Sequence, residues 1–261
     1  MDIDLSICIV AYHNFDDILT AIRTIDTFTT KKISKKVYIV DNGYNNRLKN
    51  ENEIISEITQ HEYVEYIGVQ ENIGFGRANN LVLPKIKSKF HCIMNPDVTF
   101  SDDVFSKIIR FLEKHSEVGM VIPNMVDENG NRVPVYRNEL TVLDMFIRMF
   151  LGKFFKKRQR KHTLQNRDYS KSFEVPFGQG SFLVIRTELF KEISGFDDRY
   201  FMYLEDADLC KKVNDVSKLM YFPGATVMHK WQRGSHKSLK LFKYHLKSAI
   251  SYFNKWGYKW Y

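Results

Sequence analysis

The chain is poor in the residues that make staples, spans and linkers. Only 3 of its 261 residues are cysteine. Cys8, Cys92 and Cys210 lie far apart with no CxxC pair, so a disulfide framework or zinc cage lacks its clustered spacing, and they read as reduced core thiols. No run reaches the roughly 18 uninterrupted apolar residues of a membrane span. There is no Pro/Gly/Ser-rich linker, no low-complexity tract and no internal repeat, which leaves one compact domain as the expectation. A glycine-rich loop closed by Lys-Ser or Lys-Thr is missing, and that excludes a P-loop nucleotide hydrolase at the motif level. Gly74-x-Gly76-x-x-Asn79 lacks the third glycine of a dinucleotide fingerprint and follows the third strand-like run, not the first, so a Rossmann dehydrogenase fits poorly. The first residues, Met1-Asp2-Ile3-Asp4, are acidic and run straight into a strand pattern, unlike a signal peptide; a cytoplasmic protein is expected.

What is present is a folding composition. Hydrophobic residues make up 44% and charged residues 27%, which argues against disorder. A chain of this length can bury roughly three quarters of its unfolded surface. The net charge of +8 calls for an anionic partner, whether nucleic acid, anionic lipid or a phosphorylated substrate. Apolar runs of strand length occupy residues 6–12, 37–41, 64–69 and 91–94. Helical spacing fills the gaps: Ile18, Ile22 and Ile25 behind a candidate cap at Asn14, then residues 53–59 and 77–87. Strands alternating with helices imply βαβ units and a parallel sheet. Beyond residue 100 the pattern predicts a helix over 103–115, a strand over 118–126 and a turn at Asn129-Gly130. There follow a strand over 181–186, helices over 187–193 and 204–213, a strand over 219–228 broken at Pro223-Gly224, and a terminal helix over 238–256.

In open α/β sheets the ligand crevice lies beyond the carboxyl ends of the strands. Three polar clusters fall there: Asp41-Asn42, Glu71-Asn72-Ile73-Gly74, and Asn95-Pro96-Asp97. Each alone reads as a turn; three at one edge point to a site. A carboxylate after the fourth strand can meet a diphosphate-bound Mg²⁺ or Mn²⁺, which often takes only one or two protein oxygens. Glu205, Asp206 and Asp208 open a helix, where carboxylates suit the dipole. Phe196, Tyr200, Phe201 and Tyr203 precede them, and such rings can form a wall for a sugar beside a carboxylate placed to deprotonate a hydroxyl. His229 ends a strand, followed by Lys230, Arg233 and Ser235; an imidazole can complete a metal site and the cations can hold phosphate.

In this order and spacing the residues resemble the family 2 glycosyltransferases of the GT-A fold, in particular their rhamnosyltransferase-like branch. The resemblance runs from about Ser6 to about Ser235. It rests on the first strand through Asn14, Val40-Asp41-Asn42-Gly43, the 71–80 loop, Asn95-Pro96-Asp97, Gly178-Gln179-Gly180-Ser181-Phe182, the 195–209 block and His229. It implies an α/β GT-A architecture: a Rossmann-like, mainly parallel central sheet flanked by helices, with a C-terminal acceptor-side region. A single domain would divide into a nucleotide-sugar half over about 1–100, an acceptor and catalytic half over about 101–236, and a C-terminal helix. By the same resemblance Ala11, Tyr12, Asn14 and Asp41 would hold base and ribose, while Asn72, Gly74 and Asn79 line the donor pocket. Asp97 would be the second acid of the metal motif, with Asn95 in the place of the first. Asp206 would be the catalytic base with Glu205 beside it, Gly180, Tyr203 and Asp208 would face the acceptor, and His229 and Arg233 would meet metal or diphosphate. Tyr44 stands where a serine is common, and Ser194 replaces the first glycine of Gly-Gly-Phe-Asp. The implied reaction is a single inverting displacement with Mn²⁺ or Mg²⁺. Its donor is dTDP-rhamnose, or alternatively a UDP-sugar; its acceptor is a saccharide or lipid-linked saccharide of a cell-surface polysaccharide.

Residues 144–161 carry Phe146, Ile147, Phe150, Leu151, Phe154 and Phe155 at helical spacing, with seven basic residues between Arg148 and Lys161. A solvated core helix is one reading. The other is a basic amphipathic helix on an anionic membrane surface, placing the protein at the inner face of the cell membrane. Trp231, Trp256 and Trp260 near basic residues would suit nucleic acid, but acids at the strand ends argue against that partner. A nucleotidyltransferase would want a Gly-rich basic loop in place of Ala11-Tyr12-His13-Asn14. An inactive interaction module would have no need of Asp97, Asp206 and His229.

Overall fold

The computed structural model describes residues 3–46, 48, 51–151, 154–230 and 239–261. Its first half runs β1 (Ile3–Ala11), α1 (Phe15–Phe28), β2 (Lys35–Asp41), α2 (Glu51–Ile58), β3 (Val64–Gly68), α3 (Phe75–Asn80), β4 (Ser88–Met94). These strands pair in parallel in the order β3-β2-β1-β4. Residues 5–11 of β1 are all buried, as a central parallel strand covered on both faces must be, and this explains its unbroken apolar run. The chain steps from β1 outward to β2 and β3, then returns to β4 on the other flank, so a topological switch point lies between β1 and β4.

The second half runs β5 (Val98–Thr99), α4 (Val104–Lys114), β6 (Val118–Val126), β7 (Tyr136–Arg137), α5 (Val142–Phe146), α6 (Lys156–His162), β8 (Phe173–Glu174), β9 (Phe177–Gly178), β10 (Phe182–Arg186), α7 (Thr187–Glu192), α8 (Glu205–Val216), β11 (Lys218–His229) and α9 (Leu239–Trp256). The sheet continues β4-β10-β6-β11-β5, with β8 on β11. β10 is antiparallel to both neighbours, while β11 and β6 are parallel. The result is the mixed, mostly parallel sheet flanked by helices that the GT-A resemblance implied. A small second sheet pairs β7 with β9. All three cysteines are free and buried, as expected. Among the described residues no helix is long and apolar enough to cross a membrane.

Four local expectations change. The helix expected over 77–87 ends at Asn80, because Pro84 occupies a single tight turn, Leu83–Lys85, where its missing N–H cannot extend an α ladder. Asn14 stands at the cap position of α1, but its Oδ1 accepts from the Tyr12 N–H (2.9 Å) and leaves the helix end uncapped. Pro223-Gly224 does not end β11; a register shift between Phe222 and Thr226 absorbs it. Finally, residues 144–161 are not one helix. α5 passes into a wide π turn, Ile147–Leu151, and α6 starts anew at Lys156. Ile147 turns inward while Phe146 and Phe150 stay exposed, so the six apolar side chains do not share one face.

Candidate active site

The strand ends converge as the sheet topology requires. Ala11 lies opposite Asp41, and Asp41 opposite Gly68, in adjacent parallel strands. Beyond β2, Asn42 clamps the following loop: its Nδ2 donates to Asn72 Oδ1 (2.9 Å) and its Oδ1 accepts from the Ile73 N–H (3.0 Å). Asn72 Oδ1 also accepts from the Gly74 N–H (2.9 Å). Gly74 has φ +91°, and a Cβ there would lie 2.2 Å from the Phe201 carbonyl oxygen. Only glycine permits both the left-handed backbone and that approach, and the contact sets the donor-side loop against the segment leading into α8.

On the other flank, antiparallel pairing of Met94 with Phe182 brings the end of β4 beside the start of β10. The Asn95 N–H donates to the Ser181 carbonyl (2.8 Å), and the next N–H back, Gly180, donates to Asp206 Oδ2 (3.1 Å). Two hydrogen bonds therefore join the Asn95-Pro96-Asp97 turn to the acid at the head of α8. Gly180 has little room for a side chain, since a Cβ would sit 3.1 Å from Asp206 Cβ. Tyr203 (φ +69°) and Leu204 (φ +65°) enter α8 in left-handed conformations. Such backbone costs non-glycine residues roughly 1–2 kcal/mol each, and sites that persist in it despite that cost cluster where function needs a fixed geometry.

Glu205 and Asp206 open α8 side by side. Burial raises the Asp206 pKa, opposed by the Gly180 N–H and by the positive charge of Arg137. Burial and then the neighbouring Asp206 charge push Glu205 up to about 8, and its Oε2 has no hydrogen-bond partner among the described residues. Glu205 is buried and Asp206 half-buried, and two adjoining carboxylates so placed do not readily ionise together. Arg137, 7% exposed, lies over the Phe177 ring (5.2 Å), and its Nε is buried with no partner among the described residues. Sequence reading missed it, although a lone arginine in the run Val133-Pro134-Val135-Tyr136-Arg137 is a usable signal. Asn42 was noticed only as part of a turn, and its clamping role was missed.

Pairing of β5 with the end of β11 sets Val98 opposite His229. His229 Nε2 then lies 3.2 Å from Asp97 Oδ1. Two adjacent ligands each about 2.1 Å from one cation stand roughly 3.0 Å apart, so the pair fits one edge of an octahedral Mn²⁺ or Mg²⁺ site. Nδ1 of His229 is buried and has no hydrogen-bond partner among the described residues. Among the described residues there is no group of three or more His, Cys, Asp or Glu placed to hold a metal. A cation here would need oxygens from a diphosphate and water.

Several expected contacts are placed elsewhere. Asp41 is fully enclosed; its Oδ1 accepts from the Gly43 N–H (2.9 Å) and its Oδ2 from the Tyr66 hydroxyl, so it shapes the turn from behind. Asn79 is likewise enclosed, donating to the Phe75 carbonyl (2.9 Å), and its Oδ1 has no partner among the described residues. Asp208, expected at the acceptor, is 0% exposed and holds Tyr200, Trp256 and Lys255. Phe196 and Tyr200 are core residues, which leaves Phe201 and Tyr203 as the half-buried rings of the supposed wall, packed on Tyr244 and His245 of α9. Lys230 pairs with Asp17 (2.7 Å). Tyr12 stands half-exposed at the end of β1, while Arg233, Ser235 and Trp231 lie outside the described residues.

Comparison with known proteins agrees with this fold. The model of the family described as "Glycosyl transferase family 2" matches residues 6–194. The chain is similar to the rhamnosyltransferase WbbL of Escherichia coli K12, 29% identical over 212 residues covering 76% of this chain and 77% of that protein. It is 25% identical over 186 residues to the N-acetylglucosaminyl-diphospho-decaprenol L-rhamnosyltransferase of Mycobacterium tuberculosis, covering 66% of this chain and 60% of that one. Among solved structures, GalNAc-T7 with UDP, GalNAc and Mn²⁺ superposes with a TM-score of 0.67 at 16% identity over 97% of this chain and 48% of its own. The mannosyltransferase PcManGT of Pyrobaculum calidifontis with GDP-Man and Mn²⁺ gives 0.67 at 14% identity, over 97% and 65%. The chain thus spans less than two thirds of the mycobacterial relative and about half of GalNAc-T7; at such identities the structural likeness speaks for the fold.

Proposed function

We propose that this chain, which belongs to glycosyl transferase family 2, moves a sugar from a nucleotide-sugar donor to a hydroxyl of a saccharide acceptor. The preferred donor is dTDP-rhamnose, with a UDP-sugar as the alternative. The acceptor is a lipid-linked or cell-surface polysaccharide precursor. Two relatives named as rhamnosyltransferases, one of them acting on a diphospho-decaprenol carrier, support that choice.

One observation carries the reading. The Asp206 carboxylate is held by the Gly180 N–H, one residue from the Ser181 carbonyl that fixes the turn bearing Asp97. A base and a cation-binding carboxylate are thereby joined across the sheet's switch edge. In the proposed reaction Asp206 takes the proton of the acceptor hydroxyl, whose oxygen bonds to the anomeric carbon. The bond from that carbon to the diphosphate oxygen breaks, and the nucleoside diphosphate leaves from the opposite face with inversion. Asp97 and His229 would hold a Mn²⁺ or Mg²⁺, which when bound supplies positive charge to the departing diphosphate. Gly74 and the Asn42–Asn72 clamp hold the donor-side loop, and Arg137 favours the ionised form of Asp206.

Calorimetric titration of dTDP-rhamnose, UDP-glucose and UDP-N-acetylglucosamine, with Mn²⁺ or Mg²⁺ and again with EDTA, tests this. Metal-dependent binding of one donor is expected. A folded protein that binds none of them under either condition would refute the assignment.

A further inference from the structure

Two stretches of this chain carry no carboxylate at all. Residues 145–167 contain eight Lys or Arg and residues 239–261 contain five, with no Asp or Glu in either. The fold brings these distant stretches together. The Val142 N–H donates to the Lys259 carbonyl (2.8 Å) and the Leu143 N–H to the Trp260 carbonyl (3.2 Å), so the segment after α9 lies along the start of α5. Phe150, in the wide turn after α5, packs at a tilt on Phe146 with ring centres 5.1 Å apart and stands edge-on to Phe242 of α9 at 6.2 Å.

The seam is apolar and exposed. Phe146 is 49% exposed, Phe150 57%, Leu246 46%, Ile250 50% and Trp260 64%. On α9 the arrangement follows from helical spacing. Ser248, Ala249, Tyr252 and Phe253 face the protein and are buried. Phe242, Leu246 and Ile250, at i, i+4 and i+8, form the stripe beside them, and exposed Lys243 and Lys247 form the next stripe round. Lys156, Lys157, Arg160 and Lys161 are exposed on α6. None of these six cations has an ion-pair partner among the described residues, whereas Arg158 and His162 of α6 both face Asp144. An apolar band edged by unneutralised cations, with tryptophan and tyrosine at its margin, is the chemistry of a surface lying in the headgroup layer of an anionic bilayer. A protein partner would have to supply many carboxylates around an apolar centre; an anionic lipid surface supplies both at once.

We propose that α9, α5 and the wide turn after it form one composite face that seats the protein on an anionic lipid bilayer. This face is built from two parts of the chain, where a single helix over 144–161 would have used one, and it stands independently of the donor assignment. Flotation of the whole chain with phosphatidylcholine vesicles, with and without phosphatidylglycerol, tests it. Binding is expected only with phosphatidylglycerol and weakens as salt rises. Phe150→Ser with Leu246→Ser, one change on each part of the face, is expected to lose at least about tenfold in apparent affinity. Lys243→Glu with Lys247→Glu should lose binding through charge alone, with circular dichroism and donor calorimetry unchanged for both double variants. Failure of the wild type to float with anionic vesicles would overturn the proposal. So would a double serine variant that floats like the wild type, or a wild-type dimer dissolved by those serines in the absence of any vesicle binding. A chain that binds donor but not vesicles refutes only this face; one that binds vesicles but no donor refutes only the enzymatic reading.

Discussion

Asp206→Asn separates catalysis from folding, because the fold asks little of the charge at that position. Asp206 Oδ2 accepts from Gly180 (3.1 Å) and Oδ1 from the Ala207 N–H (2.9 Å). An asparagine keeps one acceptor and forfeits the other, at about 1 kcal/mol, while the cost of burying a carboxylate charge is removed. The variant should therefore melt close to the wild type and bind donor normally. Its turnover should fall by about 10²–10⁴-fold, the usual contribution of a positioned base. The pH profile gives the sharper test. A base works deprotonated, so the rate should rise with pH through an acid limb, and burial of Asp206 places that limb above the ordinary aspartate range. Glu205, pushed up to about 8, is still protonated through that limb, so Glu205→Gln exchanges one neutral side chain for another and the limb should stay in place. Arg137→Met keeps an apolar stem over Phe177 but removes the cation that favours Asp206 ionised, and the limb should move to higher pH. Steady-state release of nucleoside diphosphate across pH, at saturating donor and acceptor, reads all three. Near-normal turnover by Asp206→Asn, or a limb that stays put or moves to lower pH in Arg137→Met, would refute the reasoning.

Other outcomes follow from the same geometry. Asp97→Ala should abolish the metal-dependent part of nucleotide binding, and His229→Ala should weaken it; calorimetry showing unchanged affinity in both would remove the 3.2 Å pair from the site. Gly74→Ala places a side chain at φ +91° and 2.2 Å from a backbone oxygen, so it should lower stability by more than the roughly 1–2 kcal/mol of left-handed backbone alone. Denaturant unfolding would show it, and an unchanged midpoint would mean that the loop simply moves aside.

The central architecture was legible because its signals are local and repeated. The continuous apolar runs of β1, β2 and β4 say parallel strands buried on both faces, and the polar residues just after them mark the crevice edge. α4 was readable over nearly its full length, though Asp103, read as its first residue, is its cap, the side chain accepting from the Ser106 N–H (3.1 Å). Less legible was anything decided by packing between distant segments. Periodicity over 144–161 looked like one amphipathic face, yet Ile147 is drawn into the core and the wide turn breaks the spacing. Asp41 carried the right chemistry at the right edge, but no local pattern reveals that the Tyr66 hydroxyl, from the neighbouring strand, claims its outer oxygen. Arg137 belongs to a two-residue strand whose partner lies forty residues on, so its proximity to Asp206 depends on a pairing that spacing cannot disclose.

Asp208 shows how such a misplacement becomes a measurement. From sequence it shares a helix start with Glu205 and Asp206, and three acids in one turn suggest one shared site. Helical geometry separates them: a side chain two residues beyond Asp206 points to the far side of the helix, here toward α9. There Asp208 Oδ1 accepts from the Trp256 indole N–H (2.8 Å) and the Tyr200 hydroxyl (3.2 Å) and pairs with Lys255 (2.7 Å). The carboxylate therefore pins the terminal helix to α8. Removing one member of a buried ion pair typically costs 3–5 kcal/mol. Lys255 keeps a second partner in Asp197 (2.8 Å), so Asp208→Asn should cost about 3 kcal/mol, the lower end of that range. In a chain of this size that lowers the Tm by roughly 6–12 °C. An acceptor contact would behave in the opposite way, raising the acceptor KM while leaving the melting curve in place. Thermal unfolding and acceptor kinetics on the one variant decide between them, and an unshifted Tm with a raised KM would return Asp208 to the acceptor site.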